Sequence, residues 1–296
     1  MSKPPGRDRK RGAVMKNLDF GLDARVIRTY YICQLTIRNS FKQSPMSRRW
    51  ALSAAVSNPD SGLNSTVRSD AVATRLRIVA AAERLFAERG IDGVSLQQIN
   101  RAAGQRNRSA VQYHFGNKEG VIHAILDKHT AGIERRRHEL LDEIEASGKL
   151  ELRRLAEALV IPLAEKLDDP DGGIAFLRVN AQLIGHPDFP LLELHAQRVN
   201  RGADRLHRLT ARACPDLPME LWMSRWLALG GLLFHGMADY AHLTERNGGA
   251  ALNIPRSVFV SNMVDCAVAV MEVPQSPETD AELERSRRPD EETPHV

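Results

Sequence analysis

The sequence predicts an all-α protein. It reads as an N-terminal three-helix unit built around a helix-turn-helix, then a C-terminal helical domain for ligand binding and dimerisation, with disordered N- and C-terminal tails. Three observations carry this. Helix formers (Ala, Leu, Arg, Glu) dominate from residue 70 onward, without long alternating apolar/polar runs. Apolar residues recur there at three- and four-residue steps. The stretch Ser95 to Lys118, SLQQINRAAGQRNRSAVQYHFGNK, reads as two short helices around a Gly-containing turn. The expected boundaries are 1–69, a basic extension; 70–120, the helix-turn-helix domain; 121–273, the ligand-binding and dimerisation domain; and 274–296, an acidic tail.

The 296 residues are 43% hydrophobic and 5% aromatic with a formal net charge of +4, a globular composition long enough for two domains. A pI near 9.1 suggests an anionic partner, but so small an excess makes placement of the charge more telling than its sum. Cys33, Cys214 and Cys266 are far apart and lack C-x-x-C spacing, which points to a reduced, cytoplasmic chain without a disulfide framework or zinc ribbon. No run of 18 apolar residues and no apolar signal core occur, so no membrane partner is expected.

Residues 1–69 hold 13 Lys/Arg against 4 Asp/Glu, with Pro4, Pro5, Pro45 and Pro59 and a Ser/Asn-rich end, and are expected to be disordered. Two readings stay open: a basic arm that adds electrostatic DNA affinity, or sequence upstream of a true start at Met46 or later. The first ordered helix is expected over Thr74 to Arg89, with Leu76, Val79, Ala80, Ala82, Leu85 and Phe86 as its stripe and Gly90 as its stop. Ser95 and Gln98 form an S-x-x-Q capping box, with Val94 and Ile99 at the staple positions, for a helix over Leu96 to Ala102. After Gly104, a second helix is expected from about Asn107 to Tyr113. From Arg101 to Lys118 there are four cations and no carboxylate. Gln105, Arg106, Asn107, Arg108, Ser109 and Gln112 are of the residue types that read base edges, and Ala110 suits a thymine methyl. Phe115 is expected in the core. A solvated basic helix hairpin would look similar.

These residues also carry a resemblance. AAAERLFAERGIDGVSLQQINRAAG (Ala80 to Gly104) and RSAVQYHFGNKEGVI (Arg108 to Ile122) resemble the DNA-binding domain of the TetR (tetracycline repressor) family, over roughly Thr74 to Leu126. The resemblance implies phosphate contacts by Tyr113 and Lys118. Ser95 and His114 complete the candidate DNA-binding set. Relatives often carry an aromatic residue where this chain has Gln112, which makes Gln112 a candidate base reader. The resemblance further implies a ligand-responsive repressor that binds double-stranded DNA as a homodimer.

Asn117 is the expected N-cap of a long helix running to about Ala146 and closed by Ser147-Gly148, with Arg135, Arg136 and Arg137 on a solvated face. Further helices are expected over Leu150–Leu167, kinked at Pro162; Ile174–Ile184; Phe189–Ala213; Met219–Arg246; and Pro255–Val273. The last two are apolar enough to pair with a second copy as a four-helix bundle. An interior rich in Leu, Ile, Val and Phe suggests an apolar or amphipathic effector, with Arg178, Asn180, Gln182, His186, His195 and His235 as polar anchors. His235, Asp239 and His242 have ligand-like spacing, but they read better as a cavity lining or interface, and no metal or cofactor is expected. The chain lacks G-x-S-x-G, P-loop and G-x-G-x-x-G motifs, so no enzyme reading stands on a motif. The rivals are a sequence-indifferent architectural DNA binder and an all-α carrier or enzyme without DNA binding.

Overall fold

The computed structural model describes residues 62–189, 201–245 and 253–287; the basic extension over 1–61, His195 and residues 288–296 lie outside the described residues. The described helices are α1 (Gly62–Arg89), α2 (Leu96–Ala102), α3 (Ala110–Phe115), α4 (Lys118–Ser147), α5 (Leu152–Ala164, continued by a 3₁₀ turn, Glu165–Leu167), α6 (Gly173–Leu183), α7 (Arg201–Ala213), α8 (Met219–Glu245), α9 (Arg256–Glu272) and α10 (Pro277–Arg287). No strand occurs among the described residues.

Local capping sets most of these boundaries. Ser95 Oγ accepts the Gln98 amide at 3.3 Å and Gln98 Oε1 accepts the Ser95 amide at 2.7 Å, so the capping box forms and opens α2. Val94 and Ile99 are both buried beside it. Asn117 Oδ1 accepts the Gly120 amide at 2.9 Å and opens α4. Gly148 closes α4 with φ +67°, in the left-handed region where a side chain is disfavoured.

Three expectations are corrected. Helix α1 begins at Gly62, twelve residues before Thr74, and its inward stripe is Ile78, Val79, Ala82, Leu85 and Phe86. Leu76 is 61% exposed, and Ala80 is exposed as well because it lies on the outer face of α1 between the buried pairs Ile78-Val79 and Ala81-Ala82. The tail beyond residue 274 contains helix α10. Its Ser276 hydroxyl accepts the Thr279 amide, Pro277 occupies the first turn, and Arg287 reaches both carboxylate oxygens of Glu220 on α8 at 3.0 and 2.9 Å. A capped start and a bidentate ion pair order a segment whose composition alone suggests disorder.

The third correction concerns the arginine run. Arg136 lies on the surface between Glu139 and Glu165, but Arg137 is buried. Its partner is dictated by Pro162. A proline has no amide hydrogen, so the Ala158 carbonyl four residues earlier loses its helical donor. Arg137 Nε supplies the replacement at 3.3 Å. Its guanidinium also pairs with Glu134, which in turn accepts the Gly202 amide of α7 at 2.6 Å. Burial pulls the Arg137 pKa down, and the Glu134 carboxylate offsets that. One buried ion pair thus ties α4 to α5 and α7.

One core cluster runs from α1 through α4 and α6 to α9, and a smaller one, including Leu141, Leu155, Leu206 and Leu209, joins α4, α5 and α7. Helix α6 packs on α1 and on α8, while α9 packs on α5. Replacing Arg137 with Met leaves Glu134 without its cation and Ala158 O without a donor. We expect a loss of about 3–5 kcal/mol in urea denaturation, partly restored by the double change Arg137→Met/Glu134→Gln, which removes the unpaired carboxylate but not the unmet Ala158 carbonyl.

Candidate DNA-binding and effector sites

The turn between α2 and α3 is longer than the sequence suggests. Asn107 Oδ1 accepts the Ser109 amide at 2.9 Å, closing a local Asx turn that competes with helix formation. Helix α3 therefore starts at Ala110 instead of Asn107 and runs to Phe115. Gln105 to Ser109 belong to the turn. The residue that shapes this turn is Asn100, buried on the inner side of α2. Its Nδ2 donates to the Arg108 carbonyl and its Oδ1 accepts the Val111 amide at 3.0 Å. One side-chain amide thereby satisfies two backbone groups of the turn and of the recognition helix it leads into. The sequence reading passes over Asn100. The available signal is a polar residue beside Ile99, on the face that must meet α3.

The surface built on this clamp is cationic and polar. Arg106, Arg108, Ser109 and Gln112 are exposed, and Tyr113 is 83% exposed despite its aromatic ring. Several other candidates are engaged elsewhere. Ser95 is used by the cap of α2. Gln105 donates to the Ala103 carbonyl at 3.0 Å. Ala110 is buried, so it offers no methyl contact. His114 is half-buried; burial and the nearby Arg75 charge lower its pKa, so it does not supply a cation at neutral pH. Lys118 donates to the Ile91 carbonyl at 2.9 Å, holding the α1–α2 turn. Phe115 is half-buried and lies under the Arg75 guanidinium, 4.3 Å from its ring centroid, while Arg75 also donates to the His114 carbonyl at 3.1 Å. Arg75 thus packs the end of α3 onto α1.

The expected effector anchors do not converge on a cavity. Gln182 on α6 instead grips the DNA-binding half: its Oε1 accepts the Ile91 amide and its Nε2 donates to the Phe86 carbonyl, each at 2.9 Å. His186 Nδ1 accepts the Asp188 and Phe189 amides, and its Nε2 lies 3.4 Å from the Asp92 carboxylate, near in charge but without hydrogen-bond geometry. Arg178 pairs with Glu245 at 2.5 Å. His235 is exposed. Asn180 is fully buried, with its Nδ2 turned back to the Phe176 carbonyl at 2.8 Å. Polarity and helix position are legible in sequence; which neighbour a side chain meets is not.

An apolar crevice lies elsewhere, among α5, α7, α8 and α9, with Leu155, Leu159, Thr210, Trp226, Leu229 and Met271 in its walls. It is small, with room for about one water. Trp226, one of those wall residues, packs on His207 with ring centroids 4.3 Å apart, and Trp222 meets the same imidazole at 5.4 Å. Burial, reinforced by Arg137, pushes the His207 pKa down to about 4.

Two predictions follow from these geometries. Asn100→Ala unmakes both turn bonds and leaves buried backbone groups unmet, costing about 1–3 kcal/mol; thermal denaturation together with DNA affinity measures it, and DNA affinity should fall more than Arg137 replacement makes it fall. For His207, the folded pKa lies below the ordinary 6.5, so between those values the unfolded chain binds a proton that the folded chain refuses. Its contribution to stability is present in full above pH 6.5 and is lost as pH falls toward about 4. Urea midpoints of the wild type minus those of His207→Leu should therefore rise with pH across that window.

Comparison with known proteins agrees with this arrangement. Residues 78–125 match the family model for bacterial regulatory proteins of the tetR family, and residues 157–269 match the model for a tetracyclin repressor-like C-terminal domain. The HTH-type transcriptional regulator TtgW of Pseudomonas putida is 33% identical over 102 residues, 34% of this chain and 69% of that protein. SrpR of Pseudomonas putida, also an HTH-type transcriptional regulator, is 33% identical over 102 residues, but the match spans only 43% of it. The HTH-type transcriptional repressor AcnR of Corynebacterium efficiens is 26% identical over 162 residues, 51% of this chain and 74% of that protein. With its helix-turn-helix half and its helical C-terminal half both matched in order, the chain belongs to the TetR family of transcriptional regulators.

Proposed function

We propose that this regulator is a cytoplasmic, ligand-responsive repressor that binds a palindromic DNA operator as a homodimer and carries out no enzymatic chemistry. The observation that carries the reading is the exposed, carboxylate-free surface of Arg106, Arg108, Gln112 and Tyr113, held in shape by the buried Asn100 clamp. In this reading Arg108 and Gln112 read base edges. Arg106, Ser109 and Tyr113 contact phosphates. Lys118 acts through the α1–α2 turn, with its remaining ammonium protons directed to the backbone of the duplex. The domain boundaries then follow: a DNA-binding half over residues 62–120 and an effector and dimerisation half over 121–273.

Two features support dimerisation through α8 and α9. Met223 and Leu227 on α8 and Val258 on α9 are each more than half exposed. A side chain added at Gly230 or Gly231 would meet nothing within 4 Å, so their bareness serves no packing inside one subunit and leaves room for a partner helix. Among the described residues no single helix is long and apolar enough to cross a membrane. Ligand responsiveness is a population shift: effector binds best to a conformation whose two recognition helices no longer match adjacent major grooves.

Selection from a random-duplex pool tests the reading. The expected product is an inverted repeat with half-sites about one helical turn, ~34 Å, apart. Arg108→Ala should weaken binding to it by ~1–3 kcal/mol and relax preference at one base position. Recovery of no preferred sequence, or an equal loss on every duplex, overturns the assignment of Arg108 as a reader.

A further inference from the structure

Behind the Trp226 wall of the crevice, where α7 meets α8, lies a concentration of unmet polar atoms. Trp222 Nε1, Trp226 Nε1 and His207 Nδ1 are all buried, and none has a hydrogen-bond partner among the described residues. Trp222 and Trp226 are one helical turn apart on α8, with ring centroids 5.7 Å apart, and His207 packs against both. A buried N–H without an acceptor costs on the order of 1–3 kcal/mol, so native proteins rarely gather several in one place without a use for them. Trp226 itself forms part of the wall of the apolar crevice, and Trp222 is more than nine-tenths buried.

We propose that the effector seat is this Trp222–Trp226–His207 corner, and that it takes an uncharged, flat, apolar molecule carrying a hydrogen-bond acceptor oxygen. The proposal rests on the ligand-responsive reading above and specifies where the ligand sits and what it is made of. Each element of the ligand class follows from the walls. An indole N–H only donates, so the ligand must accept. The remaining walls are Leu155, Leu159, Leu229 and Met271, with the Thr210 hydroxyl already turned to the Leu206 carbonyl at 2.9 Å; the body of the ligand must therefore be apolar. Among the described residues, no charged side chain lines the crevice. Arg137 is committed to Glu134 and Ala158, and His207 stays neutral at physiological pH. An anion or cation would lose its hydration there without a counter-charge.

The crevice is too small for such a molecule as it stands, so in this proposal entry moves the Trp226 ring that forms its wall. That displacement has a mechanical outlet. Helix α7 is bound to α4 through Gly202 N–H to Glu134, and through Arg205 to Asp142 at 2.6 Å and to Glu145. Helix α4 begins directly after the recognition helix. A ligand wedged beneath α7 thus acts on the one element that enters both halves.

The experiment uses the full-length chain labelled with ¹⁵N-tryptophan, whose three indole N–H signals (Trp50, Trp222 and Trp226) are assigned with single Trp→Phe variants. It is titrated with 2-acetylnaphthalene as probe, with 2-ethylnaphthalene (the same plane without the acceptor) and 2-naphthoate (a charged acceptor) as comparisons. The expected result is a downfield shift of the Trp222 and Trp226 signals with the acetyl compound, no shift of Trp50, and about tenfold weaker binding of each comparison compound, the worth of one hydrogen bond. Trp226→Phe should weaken the acetyl compound to a similar degree. Indole signals that do not move, or tighter binding of the naphthoate, overturn the seat. Operator affinity measured on the same samples separates the two readings: intact operator binding with unmoved indoles removes this seat alone, whereas absent operator binding removes the regulator reading beneath it.

Discussion

Beneath the apolar core that joins the two halves, one buried carboxylate, Glu83, fixes their register. It sits on α1 and is 2% exposed. Lys128 Nζ donates to one of its oxygens at 2.8 Å and His129 Nε2 lies 2.6 Å from the other, both from α4. Lys128 goes on to Asp171 at 2.9 Å, and His129 Nδ1 lies 3.7 Å from Asp169, so the loop between α5 and α6 joins the same network. Burial alone would lower the Lys128 pKa; its hydrogen bonds to Glu83 and Asp171 outweigh that and raise it. An isolated buried carboxylate is costly enough that it would ordinarily take up a proton, so its ionic partners and its position specify one another. The backbone has been fitted to this group. Gly172 adopts φ +84°, and a Cβ there would lie 2.2 Å from Glu83 Oε2. No larger residue fits between the loop and the carboxylate.

What the sequence disclosed, and what it withheld, divide along sequence separation. The Ser95/Gln98 box, the Asn117 cap and the Gly148 stop all act within four residues, and each boundary they imply is observed. Apolar periodicity located α4 and α6 within a residue or two because their buried faces are long. On α1 it placed Val79, Ala82, Leu85 and Phe86 inward correctly but took Leu76 for Ile78, since the two are chemically alike and only the packing of α2, α4 and α6 selects Ile78. Glu83, Asn100, Arg137 and Gln182 are ordinary polar residues in a helical pattern. Apart from the Arg137–Glu134 pair within one turn, their partners lie between 8 and 96 residues away, and nothing local marks those contacts. Gln182 illustrates the limit best. Its polarity on an apolar helix suggested a ligand anchor, and the helix that needed an anchor was α1.

The DNA-binding half is consequently attached at two places of different character. Glu83 joins α1 to α4 through charge in a dry site, where displacement is expensive. Gln182 joins the end of α1 to α6 through two neutral hydrogen bonds at 2.9 Å, with Asp92 and His186 close by at the rim. Neutral bonds at a partly exposed site exchange for water at small net cost, about 1 kcal/mol each. The attachment is therefore rigid on one side and yielding on the other.

That asymmetry also explains why polar groups were placed where apolar ones would have stabilised more. Replacing Glu83, Lys128 and His129 with packed hydrocarbon could hold the halves together equally well, since buried ion pairs seldom outperform hydrophobic packing. Hydrocarbon, however, allows sliding. A carboxylate held by two cation-capable groups on successive residues of one helix, with a glycine pressed against its far side, has one register only. For a helix-turn-helix regulator, a fixed register at this joint bears on how α3 is presented, beyond what it adds in stability. The residues between that joint and α3, from Phe86 through Asn100, carry the register forward by backbone-directed bonds at Ile91, Ser95 and Val111. The recognition surface thus inherits its orientation from a chain of short, directional contacts, each anchored in the next.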